Sequence, residues 1–255
     1  MMKIKKHNYT TFQILHRNMK NLKTIRPDFY LNINVSDGGY NVEGELIKNM
    51  MKSNNYSEVD NYYSQVITIN TSIILNATAF FEGALETLLV KRLDKIFVIS
   101  STNSSLYKKI KNDIIRCSSY GGLEKHFKLL FGCSIKKQLP SIQTKLNFVE
   151  SFYHIRHELA HASEIQTEAI YSEKGGTLIR HNSDQYSKLF TFLENHYKLK
   201  KTPTADIQTI LMFSTIIDDF SEYIQEIIEH LARELRNQKL INGDDWFWEK
   251  FTTAQ

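Results

Sequence analysis

Only three prolines and ten glycines interrupt 255 residues, too few turn formers for a sandwich or barrel of many short strands. Cysteine is scarcer still. Cys117 and Cys133 stand alone, sixteen positions apart and in no C-x-x-C arrangement, which argues against a disulfide framework and against a cysteine-based zinc site. No uninterrupted apolar stretch approaches the ~20 residues of a membrane span. The opening segment MMKIKKHNYTTFQILHRNMK has charge without the apolar run of a signal peptide. A cytoplasmic location with no membrane partner is the resulting expectation. There is no internal repeat, no low-complexity tract and no obvious linker between two separately folding halves.

What the chain does have is 42% hydrophobic residues, ordinary for a protein that buries a core. Leu, Ile, Lys, Glu and Asn are abundant, so the expected class is mainly α. A net charge of +4 and a pI near 8.8 suit a polyanionic partner without identifying one.

The first 58 residues read as an extension. An amphipathic run around Phe12, Ile14, Leu15 and Met19 ends before Pro27, and the alternating FYLNINVSDGGYNVEGELI flanks an Asp-Gly-Gly turn, the pattern of a β-hairpin. Tyr62 to Leu93 contains no proline and is apolar all round, which predicts a long buried helix interrupted only by Glu82 and Glu86. Ser104 or Ser105 is placed to cap a basic amphipathic helix. LEKHFKLLF is a short helix closed by Gly132. Pro140 marks the entry to a helix running from about Ser141 to Ser163. A loop is expected from about 170 to 182, around Gly175 and Gly176, followed by a helix over DQYSKLFTFLENHYKL. Ile210, Phe213, Ile217, Phe220, Ile224, Ile227, Leu231 and Leu235 recur at steps of three and four, the clearest helical period in the chain. The economical division is an extension over 1–58, one helical domain over 59–240 and an aromatic-rich tail over 241–255.

The helix after Pro140 carries YHIRHELAHASE, in which two chemistries share letters. His157-Glu158-Leu159-Ala160-His161 fits H-E-x-x-H, the spacing of a zinc hydrolase. Histidines four apart stand ~40° apart around a helix and could bind one ion, with Glu158 activating water. A third ligand would have to come from Glu164, Glu168, Glu173 or His181, none in a recognisable second motif, and Arg156 puts a permanent cation beside the first histidine. The same stretch offers Arg156 and His161 in R-x4-H. A histidine titrating near neutrality can move the proton of a ribose 2′-hydroxyl, a guanidinium fork can stabilise the charged phosphorane, and His157 can add a donor. No metal or cofactor is required.

Phe148, Phe152, Ile155 and Leu159 form one apolar stripe of this helix; Ile142, Leu146, Val149, Tyr153 and Ala160 form a second. The two stripes suggest two partners, one inside the domain and one on a second helix or subunit. On a straight helix Arg156 and His161 lie ~140° apart, so a two-fold dimer would bring the missing group to each site.

At these residues the chain resembles the HEPN-domain proteins. IRHELAHA supplies Arg156, the polar residue after it and His161; ATAFFEGALETLLVKRL resembles an early helix of such domains, with Glu82 in an apolar surround; and GGLEKHFKLLFGCSIKKQLPSIQTKLNFVESFYHIRHELAHA resembles the helices leading into the motif. The likeness covers about 60 to 195. It implies an antiparallel helical bundle, usually dimeric, and a metal-independent endoribonuclease that leaves a 2′,3′-cyclic phosphate. It also implies a toxin or phage-defence role, with an antitoxin or defence protein as partner. Glu82 is a supporting residue that would orient Arg156. Lys108, Lys109, Lys111 and Arg116, with Lys198, Lys200 and Lys201, could follow an RNA backbone. Trp246, Phe247, Trp248 and Phe251 suit docking of the tail better than base stacking. The competing functions are a zinc hydrolase using HELAH and a non-catalytic module that binds RNA or protein.

Overall fold

The computed structural model describes residues 11–26, 32–36, 39–43, 56–97, 104–117, 119–161, 168–171, 177–180, 191–193, 195–197, 210–211 and 213–241. In chain order its elements are α1 (Thr11–Ile25), β1 (Asn32–Ser36), β2 (Gly39–Glu43), α2 (Tyr56–Phe97), α3 (Ser105–Ile115) and α4 (Tyr120–Phe131). There follow α5 (Ile135–Gln138), a 3-10 turn (Pro140–Ile142), α6 (Gln143–His161), β3 (Glu168–Tyr171), β4 (Thr177–Arg180) and α7 (Ser214–Asn237). The protein is mainly α-helical. Each strand pair is antiparallel, with Ser36 opposite Gly39 in one and Tyr171 opposite Thr177 in the other.

The chain forms two compact units. The first comprises 1–79 and 147–224, the second 80–146 and 225–255. Their boundaries fall within α2, near the start of α6 and within α7. Hydrophobic periodicity finds a helix without indicating that its two ends serve different cores.

In the first unit Val66, Ile73, Ile74 and Ala77 of α2, Phe148, Val149, Phe152 and Ile155 of α6, and Ile216, Ile217, Phe220 and Ile224 of α7 are buried. The apolar α2 also contains Ser, Thr and Asn, which satisfy themselves locally. Thr68, Ser72, Asn76 and Thr78 donate to the carbonyls of Ser64, Thr68, Ser72 and Ile74, so even the fully buried Thr78 leaves no open hydroxyl donor. The stretch Ser64–Phe97 is long and apolar enough to cross a membrane by composition, but 56% of its most apolar window is buried inside the protein. It is a core helix. The scattered Ser, Thr and Asn break up its apolar runs, which is why no span-length run shows in the sequence.

In the second unit the core is Phe81, Ala84, Leu85, Leu88, Leu89 and Leu93 of α2 with Leu123 and Phe127 of α4 and Ile227, Leu231 and Leu235 of α7. Helix ends follow the local sequence. Ser104, Ser119 and Ser134 accept from the amides of Tyr107, Gly122 and Lys137, satisfying donors that a helix start leaves open. Gly132 closes α4 with a left-handed φ of +74°, which glycine takes without steric cost. Arg92 donates to the carbonyls of Leu130 and Leu240, and Lys95 to that of Lys239. These two cations therefore serve open carbonyls near the ends of α4 and α7.

Candidate functional site

Leu139, buried, anchors the approach to α6, and Pro140 opens the 3-10 turn that feeds it. One face of α6 is fixed by aromatic packing. Phe148 stacks on Phe192 with ring centroids 4.3 Å apart, Phe152 stacks on Phe220 at 4.6 Å, and the two α6 rings meet edge-on at 4.8 Å. Ile155 completes this stripe at 0% exposure, and Leu159 is half-buried. The first apolar stripe is therefore core.

The second stripe is buried in the single chain as well: Leu146 and Val149 are fully covered, with Ile142 and Tyr153 half-buried. It therefore does not stand as a bare face awaiting a second subunit. Sequence periodicity shows that a stripe will be covered, not by what. Tyr153 adds a polar tie, its hydroxyl donating to the Thr78 carbonyl of α2 at 3.5 Å.

Arg156 follows one turn later and is half-buried. His157, Glu158 and His161 lie on the same continuous helix, which ends at His161. Their backbone is described, whereas their side chains lie outside the described residues, as do Glu164, Glu173, His181, Lys198, Lys200, Lys201 and the tail from Trp246 to Phe251. Among the described residues no group of three or more His, Cys, Asp or Glu could hold a metal ion.

Glu82 is half-buried with a buried carboxylate oxygen, and it belongs to the second unit whereas Arg156 belongs to the first. Lys108, Lys109 and Arg116 are exposed on or just after α3. Lys111 is engaged: it donates to the Tyr107 hydroxyl at 3.2 Å, and that hydrogen bond raises its pKa, so it stays charged. Tyr107 in turn donates to Asp94 at 2.5 Å.

Two polar junctions in the first unit escaped the reading of the sequence. Arg26, just beyond α1, grips Asp218 of α7 and also donates to Asn70 of α2 at 3.0 Å. Asn70, fully buried, donates to the Leu211 carbonyl at 2.6 Å. In the same unit Tyr197 donates to Asp219, and burial together with that carboxylate holds its pKa well above the usual phenol range. The available signal was the presence of Asn70 on an apolar helix and of Asp218-Asp219 within the α7 apolar period, because buried polar groups are nearly always paired.

No protein-family model, curated protein or solved structure matches this chain.

Proposed function

We propose that the protein is a HEPN-type, metal-independent endoribonuclease acting as a homodimer, in a toxin or phage-defence setting with RNA as substrate. The observation that carries this reading is a half-buried Arg156 within the last two turns of a helix anchored by buried Phe148, Val149, Phe152 and Ile155, with His161 as that helix's last residue. A rigid helix end is a suitable mount for groups that must hold a phosphate in place.

In this mechanism His161 takes the proton of the ribose 2′-hydroxyl, and the oxygen attacks the adjacent phosphorus. Arg156 stabilises the extra negative charge on the phosphorane, with His157 as a second donor. The bond from phosphorus to the 5′-oxygen then breaks, that oxygen takes a proton from water while His161 gives its own up to solvent, and the product carries a 2′,3′-cyclic phosphate. The ~140° between Arg156 and His161 around one helix is the reason to invoke two copies, each completing the other's site.

The test is incubation of the purified protein with total RNA in excess chelator, comparing wild type with Arg156→Ala and His161→Ala. Each substitution is expected to lower cleavage roughly 10²-fold or more, and Glu158→Gln to leave it near wild type. Mixing the two inactive variants should restore activity in the heterodimer. Cleavage abolished by chelator and by Glu158→Gln would favour the zinc hydrolase of the HELAH spacing. Cleavage surviving both Ala substitutions would sink the site, and no cleavage of any RNA would favour a binding module.

A further inference from the structure

Charge is distributed unevenly along this chain. Residues 80–146 carry twelve Lys and Arg against five Asp and Glu, while the other 188 residues carry twenty against twenty-three. The whole cationic excess thus lies in a stretch that belongs to the second unit, whereas Arg156 and His161 belong to the first.

The fold sharpens the imbalance at the surface. Of the five carboxylates, Glu82 has a buried oxygen, Glu86 is half-buried, Asp94 accepts from Tyr107 and Glu124 pairs with Lys128 at 3.5 Å. Asp113 alone of the five is exposed. The cations are turned the other way: Lys108, Lys109, Arg116, Lys125 and Lys137 are exposed, and the Lys128 side chain is 54% exposed despite its partner. Arg92 and Lys95 bond to carbonyls, which leaves their charge uncancelled.

The pattern on each helix selects the kind of partner. Lys108, Lys109, Asn112, Asp113 and Arg116 fall at three- and four-residue steps, one outward stripe of α3, and Lys125 and Lys128 repeat the spacing on α4. An anionic bilayer would need an apolar face beside these charges. The exposed Leu106 and Ile115 are nine residues apart on α3, ~180° apart around the helix axis, and α4 adds the single exposed Leu129 beside Lys125 and Lys128, so the charges are flanked by isolated apolar residues rather than a continuous apolar face. A phosphodiester backbone needs only spaced cations and polar groups.

We propose that the outward faces of α3 and α4, with Lys137, form a sequence-independent docking surface for single-stranded nucleic acid, carried on the unit that does not bear the Arg156 motif. The inference takes its substrate class from the ribonuclease reading, and assigns to Lys125, Lys128 and Lys137 a role in holding the strand away from the reacting phosphate.

Binding of a fluorescent oligothymidylate of about 20 nucleotides tests it, since that probe has no 2′-hydroxyl and cannot be cut by the proposed chemistry. Affinity should fall steeply with salt. The combined Lys108→Gln, Lys109→Gln, Arg116→Gln, Lys125→Gln, Lys137→Gln variant should bind at least about ten-fold more weakly, its log–log salt slope shallower by ~0.7 for each phosphate no longer neutralised. Lys20→Gln, on the exposed side of α1, should bind like wild type. Thermal unfolding identical to wild type establishes that the five changes leave the fold intact. No binding by wild type, an unaltered slope in the five-fold variant, or preference for phosphatidylserine vesicles over the oligonucleotide would each overturn the proposal. If Arg156→Ala and His161→Ala cleaved RNA like wild type while the five-fold variant still lost oligonucleotide binding, the catalytic reading would fail while this surface stood.

Discussion

Arg26 lays two guanidinium nitrogens on the carboxylate of Asp218, at 3.1 and 2.6 Å, across 192 positions of sequence. The pair is planar-fork recognition in a sheltered place: the Arg26 side chain is 10% exposed and that of Asp218 29%. Lys23 adds a looser contact to Asp218 at 3.5 Å. Arg26→Met should therefore destabilise the protein by about 2–3 kcal/mol, because it leaves a sheltered carboxylate and the Asn70 carbonyl oxygen without their donor. A urea midpoint unchanged from wild type would show that the junction is worth nothing net.

Phe152 lies between Phe148 and Phe220, fully buried. Phe152→Ala should cost about 3–5 kcal/mol and Phe152→Leu clearly less, since leucine refills most of the void. Equal losses in chemical denaturation would mean that volume is not what the site requires.

Gly122 sits where an added Cβ would meet the Cys117 sulfur at 2.3 Å and the Ser119 hydroxyl oxygen at 3.1 Å. Gly122→Ala should destabilise by about 1–3 kcal/mol through overpacking. Adding Cys117→Ala should recover most of that loss, because the sulfur is the nearer obstacle. Additive effects of the two changes in a double-mutant cycle would place the cost elsewhere.

Glu86 has its pKa raised by burial. The folded protein therefore binds this proton more readily than the unfolded chain does. The stability tied to protonated Glu86 is present below the unfolded-state value of 4.5 and is lost as pH rises through the folded-state value. Glu86→Gln should accordingly raise the melting temperature at pH 7 and have little effect near pH 4. A variant less stable than wild type at pH 7 would show that the carboxylate is stabilised by a contact instead.

Much of the helical layout was legible beforehand because its signals are local. The Ser104 cap, the Gly132 terminator, the proline before α6 and the apolar period of α7 each depend on residues within a turn or two of one another. The long helix expected from Tyr62 to Leu93 runs from Tyr56 to Phe97, and the helix expected from Ser141 to Ser163 is a 3-10 turn followed by Gln143–His161. Terminal turns lack half of their hydrogen bonds, so their extent is the least determined by pattern. The stretch from 170 to 182, read as a loop, includes part of the β3–β4 pair, whose four-residue strands are too short for alternation to register.

The Arg156-x4-His161 spacing, the polar residues between Arg156 and Leu159, and the concentration of cations between 80 and 146 were fixed by the order of residues alone, since each is a property of neighbours along the chain. Which carboxylates are withdrawn from the surface was not, nor that Leu146 and Val149 of α6 are buried within one chain as Phe148, Phe152 and Ile155 are, nor that Arg26 finds Asp218. Those outcomes depend on segments far apart in sequence meeting in space. The free energy there comes from burying polar groups only where distant partners can satisfy them, a condition that no local pattern encodes.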